Sequence, residues 1–211
     1  KLMLGMLWTG EKQETHWSNQ AAKVDFYDLK GAAHSLLLHL GISDIQYRPV
    51  QPDGLHPGRT AELFIGAGDQ ALPVGWIGQV HPELQHAKDL PETYVLEIEL
   101  EPVLAHSSFE AHFKELPKYP DIVRDLAVIV RDNVSAGDLL AAIEHTGQPL
   151  LASVRIFDVY QGKHVGEGYK SIAFSLLYRD LEKTLTDEEV TAKHETILEA
   201  LVKRFGAELR T

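Results

Sequence analysis

The fold of the C-terminal half is decided by the stretch Phe157-Asp158-Val159-Tyr160-Gln161-Gly162, read with Lys170-Ser171-Ile172-Ala173-Phe174 and Thr184-Leu185-Thr186-Asp187-Glu188-Glu189-Val190. The first two segments alternate apolar and polar residues, which is typical of strands with one buried face. The third segment begins a helix, because Thr186 is followed three residues later by Glu189, the pattern of a capping box. We therefore expect a hairpin-like strand pair followed by a helix that packs on one face of the sheet.

The neighbouring segments extend this pattern into a complete domain. Arg124–Arg131 reads as a strand, and Ser135 is suited to cap a helix from Ala136 to His145. The remaining predicted elements are strands over 153–160 and 169–179, a helix that ends at Gly206, and a last short strand over 207–211. This βαββαβ order predicts a ferredoxin-like domain with both helices on one face of the sheet.

Strand alternation predicts which side chains the opposite, open face displays. The residues expected to face the helices are Leu126, Val128, Val130, Phe157, Val159, Ile172, Phe174, Leu176 and Tyr178. The outward set includes Ile156 and Asp158 and brings Ala127, Tyr160 and Ser171 close together, flanked by Lys170.

Small residues beside an aromatic ring suit a face that receives an unstacked nucleotide. The ring of Tyr160 can stack on a base, and the hydroxyl of Ser171 can donate or accept a hydrogen bond. An alternative interpretation fits the alternation equally well: Tyr160 covers a sheet edge, and the small residues allow packing against another domain.

Composition and charge limit the classes of function. The 211 residues carry a net charge of −11, with −7 in residues 1–106 and −4 in 107–211, which argues against general electrostatic binding of nucleic acid. No cysteine is present, so disulfides, thiolate zinc sites and cysteine nucleophiles are excluded. No apolar run approaches the length of a membrane span, and a chain that starts on Lys1 suggests a fragment of a longer protein.

The first part of the chain, residues 1–106, predicts an α+β domain with an antiparallel sheet. A helix is expected from Asp28 to Leu40, capped by Asp25 or Asp28 and ended by Gly41. Short strand-like runs follow at 45–50, 61–65, 74–80 and 94–100, and the N-terminal run also alternates like a strand. The segment 101–113 reads as the connection to the second domain, 107–211.

Motifs spread along the whole chain resemble the bacterial phenylalanyl-tRNA synthetase β subunit, at its C-terminal end. In the second domain they are the segments quoted above together with Leu116-Pro117-Lys118-Tyr119-Pro120 and Arg124-Asp125-Leu126-Ala127-Val128. In the first they are Asp25-Phe26-Tyr27-Asp28-Leu29-Lys30-Gly31, His56-Pro57-Gly58-Arg59 and Gly75-Trp76-Ile77-Gly78-Gln79-Val80-His81-Pro82. The sequence departs from the family pattern at Tyr169 and at His164-Val165, in a loop expected to approach phosphate.

The resemblance implies a non-catalytic class II synthetase-like module over 1–106 and a ferredoxin-fold anticodon-binding domain over 107–211. It implies a cytoplasmic ligase whose catalytic α subunit joins β in an α2β2 assembly and charges tRNA(Phe) with ATP and Mg2+ bound elsewhere. The implied tRNA-binding residues are Ala127, Tyr160, Ser171 and Lys170, with no catalytic residue, cofactor or metal in this fragment, no DNA partner and no membrane.

Other chemical interpretations are weaker. Class II activation of an amino acid uses arginines to hold ATP, but only Arg48 and Arg59 precede position 106. The eleven histidines lack paired carboxylates at metal-ligand spacing. The segment His56–Arg59 predicts a tight turn whose Arg59 forms a salt bridge or meets the α subunit. A ferredoxin-like small-molecule sensor or protein-interaction module remains the alternative function, and a hydrolase or transferase lacks a nucleophile–base pair.

Overall fold

The computed structural model describes residues 1–14, 16–66, 68–110 and 116–210. The chain divides into two compact units, Lys1–His112 and Phe113–Thr211. Part of the connection expected from the sequence, residues 111–113, lies outside the described residues. Its first part is not a connection: residues 100–106 form a helix of the first unit, because Val103 is fully buried in that unit's core.

The first unit is a five-stranded antiparallel sheet with helices against its core. Its elements are β1 (Met3–Thr9), α1 (Phe26–His39), β2 (Ile45–Pro49), β3 (Leu55–Ile65), β4 (Leu72–Val80), α2 (Pro82–Ala87), β5 (Thr93–Glu99) and α3 (Leu100–His106). The strand order is β1-β5-β4-β3-β2. The helix start follows the prediction, since Asp25 and Asp28 form a capping box, and Gly41 has the expected positive φ of 77°.

The second unit has the predicted βαββαβ order. Its elements are β6 (Ile122–Arg131), α4 (Ala136–Gly147), β7 (Leu151–Tyr160), β8 (Tyr169–Tyr178), α5 (Asp187–Phe205) and β9 (Glu208–Leu209), with strand order β7-β8-β6-β9. Thr186 and Glu189 form the capping box of α5, and Gly206 ends it with a φ of 63°. The predicted fold class, α+β with antiparallel sheets and a ferredoxin-like second unit, is confirmed.

The core of the second unit lies between one sheet face and the two helices. Every predicted core residue of β6 and β8 is buried there: Leu126, Val128, Val130, Ile172, Phe174, Leu176 and Tyr178. They pack with Leu139 and Ile143 of α4 and with Ile197 and Leu201 of α5. The other face of this sheet therefore displays the alternate residues of the same strands.

Strand β7 has two register shifts against β8, and the second, between Ile156 and Asp158, changes the predicted faces. Ile156 pairs with Phe174 and Asp158 pairs with Ala173, so Phe157 is an extra residue in a β-bulge. The bulge reverses the expected orientation of two residues: Ile156 packs against the core, and Phe157 is 53% exposed. After the bulge the alternation returns to the predicted phase, so Tyr160 lies directly opposite Ser171.

Candidate nucleic-acid interface

The open face of the second sheet forms a shallow trough along β8. Ser171, Ala173 and Ser175 project to this face, yet they are only 1%, 6% and 8% exposed. On the neighbouring strands, Tyr160 and Ile129 lie opposite Ser171, Asp158 and Ala127 lie opposite Ala173, and Arg155 and Asp125 lie opposite Ser175. The floor of the trough is therefore flat and lined with small side chains, two of which carry hydroxyl groups.

Tyr160 borders one end of this trough. It lies opposite Ser171 on β8, which in turn lies opposite Ile129 on β6. The loop after β7 closes around the ring: a Cβ added to Gly162 would lie 2.6 Å from the Tyr160 hydroxyl oxygen. The ring of His164 lies 6.3 Å from that of Tyr160, at an angle of 25°. The Tyr160 ring is thus held at a defined place beside Ser171.

Arg210 reaches into the same trough from the opposite edge of the sheet. Its backbone nitrogen donates to the carbonyl oxygen of Ala127 at 2.9 Å, which continues the pairing of β9 with β6. Its guanidinium donates to the Ser171 Oγ at 3.2 Å and lies 5.5 Å from the centre of the Tyr160 ring. The structure therefore brings Ala127, Ser171 and Tyr160 together and adds a cation to them.

Sequence reasoning did not include Arg210 among the site residues. The signal was present, because the strand predicted over 207–211 has to pair with an edge of the sheet, and alternation would then place every second residue on the open face. The length and register of that strand could not be read from five residues at the end of the chain.

Lys170 lies away from the other three predicted site residues. It pairs with Val130, which is buried on the helix side, so the Lys170 side chain starts on the opposite face from Ser171. Its ammonium group donates to the backbone carbonyl of Asp132 at 2.9 Å. Lys170 thus ties the loop after β6 to the start of β8.

The rim of the trough carries both signs of charge. The register places Asp125, Asp158 and Glu208 on this face together with Arg131, Arg155 and Arg210, and all six side chains are exposed. The three acidic and three basic residues give this set a net charge of zero, so the face is not a basic patch. Its chemistry favours stacking and individual hydrogen bonds over broad attraction to phosphates.

The loops at one end of the sheet enclose a second concave region. A cavity of about 530 Å³ is lined by the loop from Gln161 to Gly168, together with Asp132 and Tyr169. The amide of Gln161 donates to the Asp132 carboxylate at 3.0 Å, which connects the two loops that form it.

In the first unit, the two arginines are engaged by neighbouring side chains. Arg59 donates to the Gln79 Oε1 at 2.8 Å and lies 3.9 Å from a carboxylate oxygen of Glu92, so the predicted salt bridge of Arg59 is present. The guanidinium of Arg48 lies 4.1 Å from the centre of the Phe64 ring. Neither arginine is presented as part of a phosphate clamp.

Neither a metal site nor a membrane-spanning helix is found within the described ranges. No group of three or more histidine or acidic side chains there is placed to hold a metal ion. Across the same residues, no helix combines the length and the apolar character that a membrane span requires.

Comparison with protein families supplies the decisive observation. Residues 117–210 match the ferredoxin-fold anticodon binding domain, and residues 1–100 match the phenylalanyl tRNA synthetase beta chain CLM domain. The chain belongs to the phenylalanine–tRNA ligase β-subunit family. The resemblance found in the sequence motifs is thereby confirmed for both units.

Individual relatives extend the match along the chain. The phenylalanine–tRNA ligase β subunit of Geobacillus kaustophilus is 45% identical over 195 residues, which cover 92% of this chain and 24% of the relative. That of Shouchella clausii is 43% identical over 208 residues, 98% of this chain and 25% of the relative. That of Symbiobacterium thermophilum is 40% identical over all 211 residues and 23% of the relative. The chain therefore spans about a quarter of the length of these β subunits.

Proposed function

We propose that the second unit binds the anticodon region of tRNA(Phe) on its open sheet face. The chain then acts as part of a cytoplasmic phenylalanine–tRNA ligase, in an α2β2 assembly with a catalytic α subunit. The observation that carries the proposal is the trough in which Tyr160, Ser171 and Arg210 surround a floor of small residues.

Each side chain has a distinct role in this proposal. The ring of Tyr160 stacks on an unpaired base, and such a stack contributes roughly 1–3 kcal/mol per base. Ala127 and the small residues of β8 let the base approach the sheet, and the Ser171 hydroxyl hydrogen-bonds to the base edge. Lys170 acts at the loop end of the sheet, where its ammonium group fixes the Asp132 backbone.

Arg210 changes partners when RNA binds. Its guanidinium now bridges Ser171 and Tyr160, so a base that stacks on Tyr160 displaces it. The exposed guanidinium then reaches a phosphate or the face of the base, both of which it binds well. The Arg210 guanidinium thus has a binding partner in both states: Ser171 and Tyr160 in the free protein, and the RNA in the complex.

The first unit has a supporting role in the proposed enzyme. Arg48 and Arg59 are engaged by neighbouring side chains, so this unit contributes no clamp for ATP phosphates. Binding of ATP and Mg2+ is assigned to parts of the enzyme outside these 211 residues, and the fragment itself supplies no catalytic residue.

The experiment is a binding comparison with intact tRNA. The 211-residue chain is titrated with tRNA(Phe) and with the same tRNA carrying a substituted anticodon. We expect tighter binding to the native anticodon, because the trough accommodates individual bases. Equal affinity for the two RNAs would contradict anticodon recognition by this face.

A small-molecule-binding function is the second candidate, because of the cavity beside Asp132. A sensor of this fold would bind its ligand at the loop between the first strand and the first helix, and Asp132 lies in that loop. An amino-acid screen by thermal shift separates the two functions. Stabilisation by one amino acid, without anticodon-dependent RNA binding, would favour the sensor.

A further inference from the structure

Tyr169 lies on the same open face as the trough, two residues before Ser171 on β8. It pairs with Arg131 of β6, and alternation along β8 places it on the face of Ser171 and Ala173. Those two small residues are almost inaccessible, whereas Tyr169 is 38% exposed. Tyr169 is therefore a second accessible aromatic ring on the face that displays Tyr160.

Tyr169 and Tyr160 are diagonal neighbours across the β7–β8 pair. Tyr160 lies directly opposite Ser171, and Tyr169 precedes Ser171 by two residues. Side chains in this relation start roughly 7–8 Å apart, which is within reach of aromatic rings. Other four-stranded RNA-binding sheets use two or three aromatic side chains to stack bases. The placement of Tyr160 and Tyr169 thus suits two neighbouring nucleotides of one strand.

The cavity of about 530 Å³ continues the trough at this end of the sheet. Tyr169 forms part of the cavity lining, and so does Gly162, where an added Cβ would lie 2.6 Å from the Tyr160 hydroxyl oxygen. Both tyrosines therefore lie where the cavity and the trough meet. The volume is within the range of pockets that bind small organic groups, so a nucleobase can enter it.

The charges of the cavity lining favour a base over a phosphate group. Asp132 and Glu167 are acidic, and Lys163 is the one basic residue among the described residues that line the cavity. A phosphate group would meet more negative than positive charge there. Carboxylates instead accept hydrogen bonds from amino groups such as those of cytosine, adenine and guanine.

We propose that Tyr169 and this cavity bind a second base, that of the nucleotide next to the one stacked on Tyr160. The proposal rests on the proposed binding of the anticodon region by this face and extends it from one base to two. The second base stacks on Tyr169, and its amino group donates to a carboxylate of the cavity lining. Uracil is disfavoured at this position, because it has no amino group.

The first part of the test is the Kd of the 211-residue chain for tRNA(Phe). Tyr169→Ala should weaken binding about five- to 150-fold, which corresponds to the loss of one base–aromatic stack. Tyr169→Leu, which keeps apolar volume but no ring, should weaken it similarly, and Tyr169→Phe should retain most of the affinity. Tyr27→Ala, at an exposed tyrosine of the first unit, is the matched control and should leave the Kd unchanged.

The second part of the test locates the two bases in the RNA. Uracil replaces one base at a time in the anticodon and in the nucleotides beside it. At one position the replacement should weaken binding to the wild-type protein at least about fivefold. This penalty should shrink in Tyr169→Ala and persist in Tyr160→Ala, because the two rings hold different bases.

The outcomes separate this inference from the proposed function. Weaker binding by Tyr160→Ala, with wild-type binding by Tyr169→Ala and Tyr169→Leu, would overturn the second base site and leave anticodon binding intact. Wild-type binding by the Tyr160 and Tyr169 variants alike would contradict both. Loss of the uracil penalty at the same position in both alanine variants would show that the two rings hold one base. An amino acid that raises the melting temperature of the wild type but not of Tyr169→Ala, with tRNA binding unchanged, would assign the cavity to a small molecule and overturn the proposal.

Discussion

The guanidinium of Arg210 lies 5.5 Å from the centre of the Tyr160 ring, although the two residues belong to opposite edge regions of the sheet. Ala127, whose carbonyl group accepts a hydrogen bond from Arg210, and Ser171, which lies opposite Tyr160, are both small, so their side chains leave room for this approach. The same space gives a base room to reach Tyr160. The cation and the aromatic ring therefore form two sides of one candidate binding site.

The salt dependence of tRNA binding should be shallow. The face has three acidic and three basic residues and a net charge of zero, so it neutralises few phosphates. For single-stranded contacts each neutralised phosphate contributes about −0.7 to the slope of log K against log salt. We expect a slope no steeper than about −2 for the wild type. In Arg210→Gln, which loses one phosphate contact, the slope should be shallower by about 0.7.

Filter binding at several salt concentrations measures this slope. Arg155→Gln, which removes another cation of the same face, is the matched control for Arg210→Gln. A slope of about −4 or steeper would indicate six or more phosphate contacts and an interface led by electrostatics.

His194 should make the stability of the second unit depend on pH. The Nδ1 atom of its ring shares a hydrogen bond of 3.1 Å with the hydroxyl group of Tyr178, and Tyr178 is fully buried. Burial, together with the nearby charge of Arg124, lowers the pKa of His194 below its ordinary value of 6.5. The unfolded state therefore binds a proton more readily than the folded state. The contribution of neutral His194 to the free energy of unfolding is fully present above about pH 6.5 and is lost as the pH falls below that value.

Urea unfolding followed by circular dichroism between pH 5 and pH 8 measures this effect. In His194→Gln the loss of stability on acidification should be smaller than in the wild type, whereas His145→Gln, at an exposed position of α4, should behave like the wild type. Trp8, Trp17 and Trp76 all lie in the first unit, so tryptophan fluorescence provides an internal control. An identical pH profile in His194→Gln and wild type would contradict the assignment.

Gly75→Ala should destabilise the first unit. A Cβ at Gly75 would lie 2.0 Å from the backbone oxygen of Glu97 on the neighbouring strand, which cannot move without breaking the sheet. Overpacking of this kind costs roughly 1–3 kcal/mol. Gly5→Ala is the matched control, because its Cβ meets no atom within 4 Å. Urea unfolding followed by tryptophan fluorescence measures both, and equal midpoints would show that the sheet adjusts.

Much of the second unit could be predicted from local sequence rules. Alternation in β6 and β8 identified the buried residues, and Thr186, Glu189 and Gly206 marked the ends of α5, because these signals depend only on neighbouring residues. The bulge at Phe157 was missed, since an extra residue in one strand has no local signature of its own. After the bulge, residues 158–160 alternate between the two faces as predicted, so the orientation of Tyr160 was nevertheless predicted correctly.

The candidate site was predicted in part for a related reason. Ala127, Ser171 and Tyr160 follow from alternation along single strands, whereas Arg210 depends on the register of β9 against β6. Lys170 was placed beside them by proximity in sequence, but adjacent strand residues point to opposite faces. Its contact with the Asp132 carbonyl crosses between loops and needs the folded structure.

The most direct test of the account is the affinity of Tyr160→Ala for tRNA(Phe). We predict a loss of about five- to 150-fold, the equivalent of one base–aromatic stack of roughly 1–3 kcal/mol. Tyr160→Phe, which keeps the ring, should retain most of the affinity. Val159→Ala, which changes the opposite face of the same strand, should leave it unchanged. An unchanged Kd in Tyr160→Ala, accompanied by a lower melting temperature, would show that Tyr160 only covers the sheet and would contradict the proposed interface.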